Sequence, residues 1–420
     1  MLTEPNTYNL ELLNELALEN ISEVEISEEL ERYLNHYARC FVRSQQQKYF
    51  KAFEGGLLSG LDRKSIEPIA LHFLGEEQVR GMQQFFTRSK GWEESAGQCY
   101  RSMLSEQIAD DGGFACVDES CFIKKGSESA GVARQYCGRL GKRENCQSGV
   151  FLSYASERGH GLVDGKLYLP KLWFDDSHSE KRDSCQIPPN LAFQTKNEMA
   201  ARMLGEMIES GQFPIKWIGC DAAFGSDHVF LDGLPDTVYY FAAVKENEYI
   251  FRSMPDTIVP ETPSGRGGRF KHPRACANPV HIKTIAEDDS ISWETRAITE
   301  GAKGPVIADI KCIRCISSRK INRLFMPGVE IWVYIRRYED GTIKYFVSNA
   351  PSATPNATLD KLATMRWSIE QCFQECKSYL GMAHYEARSF PAWHRHMLLV
   401  MIAHLFTTVL RGTLKKTTFS

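Results

Sequence analysis

A carboxylate in the middle of an apolar, β-prone run is the feature of this sequence that most narrows its possible folds. The stretch Phe114–Ile123 reads FACVDESCFI, with Asp118 at its centre. An ionised side chain buried there without a partner costs several kcal/mol, so the strand needs a metal, a partner or a solvent-facing edge beside Asp118. A second apolar run, Ile215–Cys220, ends directly in Asp221, and Ala222-Ala223-Phe224-Gly225 follows. These residues leave room for a ligand at the strand's carboxyl end, where open α/β sheets bind.

The flanking pattern predicts the sheet. Gly149–Ala155 and Gly161–Leu169 are strand candidates. Lys196–Ser210 carries Met199, Met203, Leu204, Met207 and Ile208 at helical spacing, and Tyr239–Val244 is apolar again. Three strands, helix, strand, helix or loop, strand is the ribonuclease-H-like order: a mixed sheet with helices on its faces. Four segments are expected. Residues 1–105 form an all-helical DNA-binding domain, with Phe41–Leu61, Lys64–Leu74 and Glu76–Ser89 as helices broken at Gly55, Gly56 and Gly60. That pattern suits a helix-turn-helix-like binder, or a helical domain without a DNA role. Residues 106–244 are the first part of the catalytic domain. Residues 245–345 are a β-rich insertion, with strands over Val306–Ile316 and Val329–Arg337. Residues 346–420 complete the catalytic domain with one helix over Leu359–Tyr379.

Charge gives no global pull toward nucleic acid, because 50 Lys and Arg stand against 53 Asp and Glu. Any DNA surface must be built from local basic patches. The longest apolar stretch, His396–Leu410, contains His404 and is too short for a membrane span, so it reads as a buried helix. Met1–Asn20 lacks the pattern of a signal peptide, and the 13 cysteines fit no secreted framework. A cytosolic protein with reduced thiols is expected. Cys312 and Cys315 form a single C-x-x-C without a second pair at zinc spacing.

In a ribonuclease-H-like sheet the first and fourth strands are neighbours, so Asp118 and Asp221 would project side by side. Glu370, on the helix after the insertion, would complete a set of hard oxygen donors. Such donors suit two Mg²⁺ ions, with Mn²⁺ as a substitute, and two such ions support phosphodiester cleavage or strand transfer. Asp175, Asp176 and Asp227 are rival acids that read as loop or cap residues. On a continuous helix Arg366, Glu370 and Lys377 share one face, while Ile369, Cys372, Phe373 and Cys376 turn to the core. Further candidate DNA contacts are Lys124 and Lys125 in the turn after the first strand, Arg266, Arg269 and Lys271 in a Gly/Arg stretch, and Arg388, His394 and Arg395 downstream.

These stretches resemble a known family. VDESCFIKKG, GVARQYCGRLGKRENCQSGVFLSYAS and LYLPKLW resemble the first catalytic block of bacterial insertion-sequence DDE transposases of the insertion-sequence-701 type. WIGCDAAFG resembles the second block, and RWSIEQCFQECKSYLGMAHYEARSFPAWHRHMLLVMIAH the third. LLSGLDRK and EGAKGP also fit, so the likeness runs over most of residues 40–410. It implies cleavage at element ends, joining to target DNA, Mg²⁺, and a catalytic triad at Asp118, Asp221 and Glu370. Because an element has two ends, a homodimer is expected in the DNA-bound synapse. The resemblance also implies an aromatic of the insertion stacking on a flipped base; Trp293 is the first candidate and Trp332 the second. The pattern departs from the family at Ala363, where the broader superfamily has Tyr, and at Cys121. A domesticated DDE nuclease and a catalytically silent DNA-binding regulator are the alternative readings.

Overall fold

The computed structural model describes residues 23–260, 272–301 and 304–418. They belong to two compact units, one drawn from 1–113, 117–214 and 368–420, the other from 114–116 and 215–367.

The first unit begins with helices α1 (Glu23–Asn35), α2 (Ser44–Leu58), α3 (Ile66–Phe73), α4 (Val79–Thr87) and α5 (Trp92–Ile108). Aromatic side chains draw them together. Phe85 stacks on Trp92 with ring centroids 4.8 Å apart, and Phe53 meets Phe86 at 4.6 Å. A side chain at Gly56 would lie 2.5 Å from Ile69, so α2 and α3 approach closely there. The unit's strands are β1 (Phe114–Ile123, from Val117 onward), β2 (Ala133–Cys137), β3 (Lys142–Ser156) and β4 (Gly159–Tyr168), with β3 between β1 and β2. Both β2 and β4 pair antiparallel with β3.

After a short helix, α6 (Ser179–Ser184), comes α7 (Lys196–Ser210). A capping box fixes its start: the Thr195 hydroxyl accepts from the Glu198 N–H, and the Glu198 carboxylate accepts from the Thr195 N–H at 2.7 Å. Gly211, at φ 64°, ends it. Phe122, Phe151, Phe373 and Trp393 form the aromatic core beneath this sheet. Gly149 makes room for them, since a Cβ there would stand 2.7 Å from Phe151 and 2.9 Å from Trp393.

The second unit contains β5 (Trp217–Cys220), α8 (Ala222–Gly225), α9 (His228–Asp232), β6 (Tyr239–Val244), β7 (Tyr249–Phe251), β8 (Thr257–Ile258), β9 (Arg274–Ala275), β10 (Val280–His281), α10 (Lys283–Ala286), β11 (Glu294–Gly301), β12 (Gly304–Ile321), β13 (Leu324–Arg337), β14 (Ile343–Ser348) and α11 (Asn356–Met365). Its strand order is β10-β7-β12-β13-β14-β6-β5-β1, with β11 on β12 and a separate β8-β9 pair. The pair β5–β6 is parallel, and β6–β14, β13–β14 and β12–β13 are antiparallel. The expected adjacency of first and fourth strands is present within this unit as the Phe114–Cys116 end of β1 beside β5. Gly219 allows it: a Cβ at that position would lie 2.2 Å from the Phe114 ring. The mixed sheet with flanking helices and the helical N-terminal part agree with the sequence reading.

The final helices are α12 (Trp367–Ser378) and α13 (Phe390–Thr418). The expected single helix over Leu359–Tyr379 is a correction: the chain breaks it at Arg366, between α11 and α12. Arg366 keeps helical dihedrals (φ −57°, ψ −29°), and no Gly or Pro marks the break, which coincides with the boundary between the units. α13 buries Met397–Ala403 as the long apolar run predicts. Among the described residues no helix is long and apolar enough to cross a membrane. All 13 cysteines are free thiols. Eleven are buried, Cys312 is half-buried and Cys276 alone is exposed.

Candidate active site

Asp118 is half-buried in the middle of β1. Its Oδ1 accepts from the Glu119 N–H at 2.7 Å, which fixes one carboxylate oxygen against the strand. The neighbouring Glu119 carboxylate is ion-paired with Lys196 at the start of α7, and the Lys196 ammonium lies 5.2 Å from the Tyr168 ring centroid. The sequence reading missed Lys196, whose only signal was a cation at the first position of a capped helix.

Glu370 stands half-buried in the first turn of α12, where the helix dipole favours a negative charge. Ile369, Cys372, Phe373 and Cys376 are buried as the helical spacing predicts. Lys377, two turns on from Glu370, rests its ammonium 5.4 Å from the Phe122 ring centroid and 5.7 Å from that of Phe373. Burial, then Arg139, holds its pKa down, while Cys121, Cys137 and Asp118 oppose the shift.

On its inner side α12 is fastened by a buried pair that the sequence reading also missed. Nε2 of His404 donates to Glu375 Oε2 at 2.6 Å, with side chains 3% and 5% exposed. The Gln371 amide donates to the other Glu375 oxygen at 3.1 Å.

In the second unit Asp221 follows β5 directly and caps α8. Its Oδ1 accepts from Ala223 N–H at 2.9 Å and Phe224 N–H at 3.2 Å. Asp227 does the same for α9, as expected of a cap residue. Arg366 closes α11 through its N–H to Leu362 O at 3.1 Å, and its own carbonyl receives the Cys116 thiol at 3.9 Å. Within neither unit does a group of three or more His, Cys, Asp or Glu side chains form a metal cage among the described residues. By unit, Asp118, Glu370 and Lys377 belong to the first, and Asp221 and Arg366 to the second.

The remaining candidates divide. Lys125 and Arg388 are exposed. Three other candidate DNA contacts, Lys124, His394 and Arg395, are turned inward. Lys124 donates to Tyr385 O, and burial lowers its pKa to about 8. Arg395 is 3% exposed and donates to Phe86 O at 2.7 Å and Glu93 at 2.8 Å. His394 donates from Nδ1 to Phe390 O at 2.9 Å and accepts the Leu167 N–H at Nε2. Burial, aided by Lys166, pushes its pKa down to about 4. The physical reason is common to the last two: α13 is packed on several sides, so cations in its first turns meet protein.

Arg266, Arg269 and Lys271 lie outside the described residues. Trp293 is half-buried with the Arg337 guanidinium 4.2 Å and the Lys311 ammonium 4.6 Å from its ring centroid. Lys311 is itself buried and bonded to three backbone carbonyls, of Ile285, Ala286 and Asp288. Trp332 donates to Pro351 O at 3.1 Å under the Arg314 guanidinium. Cys312 and Cys315 face Tyr334 and Ile331 across the β12–β13 ladder. Their odd separation puts the two thiols on opposite faces of the strand, so they do not form a zinc pair.

A sequence profile of the DDE superfamily endonuclease family matches residues 36–305. That span includes Asp118 and Asp221 and ends before Glu370. A probable transposase for insertion sequence element IS701, from Microchaete diplosiphon, is 26% identical over 224 residues, 53% of this chain and 55% of that protein. The chain thus spans about half the length of the curated relative it matches. Among solved structures, a piggyBac transposase synaptic complex with hairpin DNA aligns with a TM-score of 0.36 at 9% identity, covering 84% of this chain and 55% of that one. The NurA nuclease from Sulfolobus solfataricus aligns with a TM-score of 0.24 at 10% identity, covering 81% of this chain and 95% of that one. Neither superposition is close enough to argue from.

Proposed function

Since this chain belongs to the DDE superfamily endonuclease family, we propose that it is a DNA transposase of the insertion-sequence-701 type, cleaving element ends and joining them to target DNA. The family match across both Asp118 and Asp221 is the observation that carries the reading. Asp118, Asp221 and Glu370 are the proposed catalytic, metal-holding carboxylates. Their hard oxygens match Mg²⁺ or Mn²⁺. The backbone N–H groups that hold Oδ1 of Asp118 and of Asp221 orient those side chains in advance. When bound, two divalent ions would supply charge stabilisation to an in-line displacement at phosphorus. In cleavage a water oxygen bonds to phosphorus and the strand's 3′ oxygen leaves. In joining, that 3′-hydroxyl is the nucleophile and a target-strand oxygen leaves.

Arg366 and Lys377 are proposed phosphate contacts, as are exposed Lys125 and Arg388. Arg266, Arg269 and Lys271 stay proposed on sequence alone. Trp293 stays the proposed base-stacking aromatic on the family resemblance, with the Arg337 and Lys311 cations already against its ring. The helical segment 1–105 would recognise the element's ends, with 106–244 and 346–420 as the catalytic domain around the 245–345 insertion. The working form is a homodimer in a synapse with two terminal repeats and target DNA, in the bacterial cytoplasm.

The test is cleavage of duplexes carrying the inverted repeats that flank the gene. D118A, D221A and E370A should each abolish Mg²⁺-dependent cutting while leaving end binding intact. Full cutting by any one of them removes that residue from the site. Specific binding without cutting by the wild type would favour the regulator instead.

A further inference from the structure

The loop after Asp221 is held by a polar clamp. Asp221 caps α8, whose Gly225 is pressed so closely on β6 that a Cβ would lie 2.0 Å from Ala243 O. From Gly225 the chain passes through the Asp227 cap into α9, and Arg319 of β12 grips both ends of α9. Its Nε and Nη2 donate to the two oxygens of Asp232 at 2.7 and 2.6 Å, a bidentate pair. Its Nη1 lies 3.0 Å from Nδ1 of His228. Arginine only donates, so Nδ1 accepts and His228 carries its hydrogen on Nε2, which faces Glu248 Oε1 at 3.0 Å. Glu248 in turn sits in the β6–β7 turn, fastened by its N–H to Lys245 O and by its carbonyl to the Ile282 N–H. The Arg319 side chain is 12% exposed and that of Asp232 51%, so the arginine is held inside while its carboxylate partner reaches solvent.

We propose that Arg319 is a positioning residue for Asp221: the Asp232–Arg319–His228–Glu248 clamp fixes α8–α9 against β6, β7 and β12, and so fixes the carboxylate that caps α8. The β-rich insertion then serves the chemistry from behind as well as offering surface to DNA. Arginine is required because the site uses its planar fork: two parallel bonds to one carboxylate and a third to an imidazole. A lysine ammonium keeps the charge but cannot reproduce that geometry. This rests on the reading of Asp221 as a metal carboxylate.

The experiment compares full-length wild type, R319K, R319A and D221N. Two readouts are used: hydrogen exchange of peptides spanning 221–232, and Mn²⁺ affinity by calorimetry. R319A should speed exchange in that segment and weaken Mn²⁺ binding several-fold, less than the roughly 10–100-fold lost when a group bonded directly to a metal ligand is removed. R319K should fall between R319A and wild type, and metal-free binding of element-end DNA should not change. Unaltered exchange and Mn²⁺ affinity in R319A overturn the proposal, and if R319A does not fold, the same result in R319K does so. If D221N loses Mn²⁺ while R319A keeps it, only the clamp falls. If D221N binds Mn²⁺ as the wild type does, the carboxylate assignment falls and the clamp's role with it.

Discussion

Replacing His404 by leucine removes the donor that meets Glu375 Oε2 at 2.6 Å and leaves that carboxylate in a site where its side chain is 5% exposed. The Gln371 amide stays on the other oxygen at 3.1 Å, so the loss is of one strong contact in a low-dielectric interior. Removing one member of a buried pair typically costs about 3–5 kcal/mol, while replacing both members by apolar groups of similar volume is often near neutral. H404L should therefore destabilise the unit holding α12 and α13 by about 3–5 kcal/mol, and H404L/E375L should recover most of it. The natural assay is hydrogen exchange of the α12 and α13 amides at increasing urea, since the chain has two compact units and one midpoint would blur them. Function should follow stability, because α12 presents Glu370 one turn and a residue before Glu375: cleavage by H404L should drop and return in the double variant. The reasoning is refuted if H404L costs under about 1 kcal/mol, or if the double variant is as unstable as the two single losses added together.

Two more outcomes follow from the inward-facing residues. Burial holds His394 and His396 near pKa 4 in the fold against 6.5 ordinarily, so their contribution to stability is complete above about pH 6.5 and is lost as pH falls through about 4. At 1.36 kcal/mol per unit each accounts for at most roughly 3 kcal/mol, and the stability read from hydrogen exchange of the α13 amides in urea should fall less steeply from pH 7 to 4 in H394Q than in wild type. Exposed Lys125 and Arg388 should behave in the opposite way to Arg395. K125A and R388A should weaken DNA binding evenly across sequences and reduce its salt slope by about one each, with unchanged melting. R395A should lower thermal stability and leave the salt slope alone, and a reduced slope in R395A would restore it to the DNA surface.

Local patterning carried far in this chain. Phe114–Ile123, Lys196–Ser210 and Tyr239–Val244 are elements at the expected residues, because each carries a clear apolar pattern, and the Thr195–Glu198 box fixes the start of the helix. The strand Ala133–Cys137 escaped notice since ARQYC is short and has Arg and Gln at its centre, and its pairing with β3 is what makes it a strand. The hairpin β12–β13 runs well past the apolar stretches Val306–Ile316 and Val329–Arg337, because ladder bonds to a partner strand hold polar residues extended too. At the candidate site the acids were visible as acids, but their supports were not. Glu119 meets Lys196 over 77 positions, Arg319 meets Asp232 over 87, and Glu375 meets His404 over 29. No periodicity within one element reports such pairings. Arg395 and His394 misled for the same reason: a basic cluster looks like surface until the packing around α13 is known.

Among thirteen thiols only Cys276 is exposed. A maleimide dye added in limited amount to the folded chain would therefore attach first just beyond β9, in the insertion. That gives a single fluorescent handle for following this region during a reaction without engineering away a dozen other cysteines.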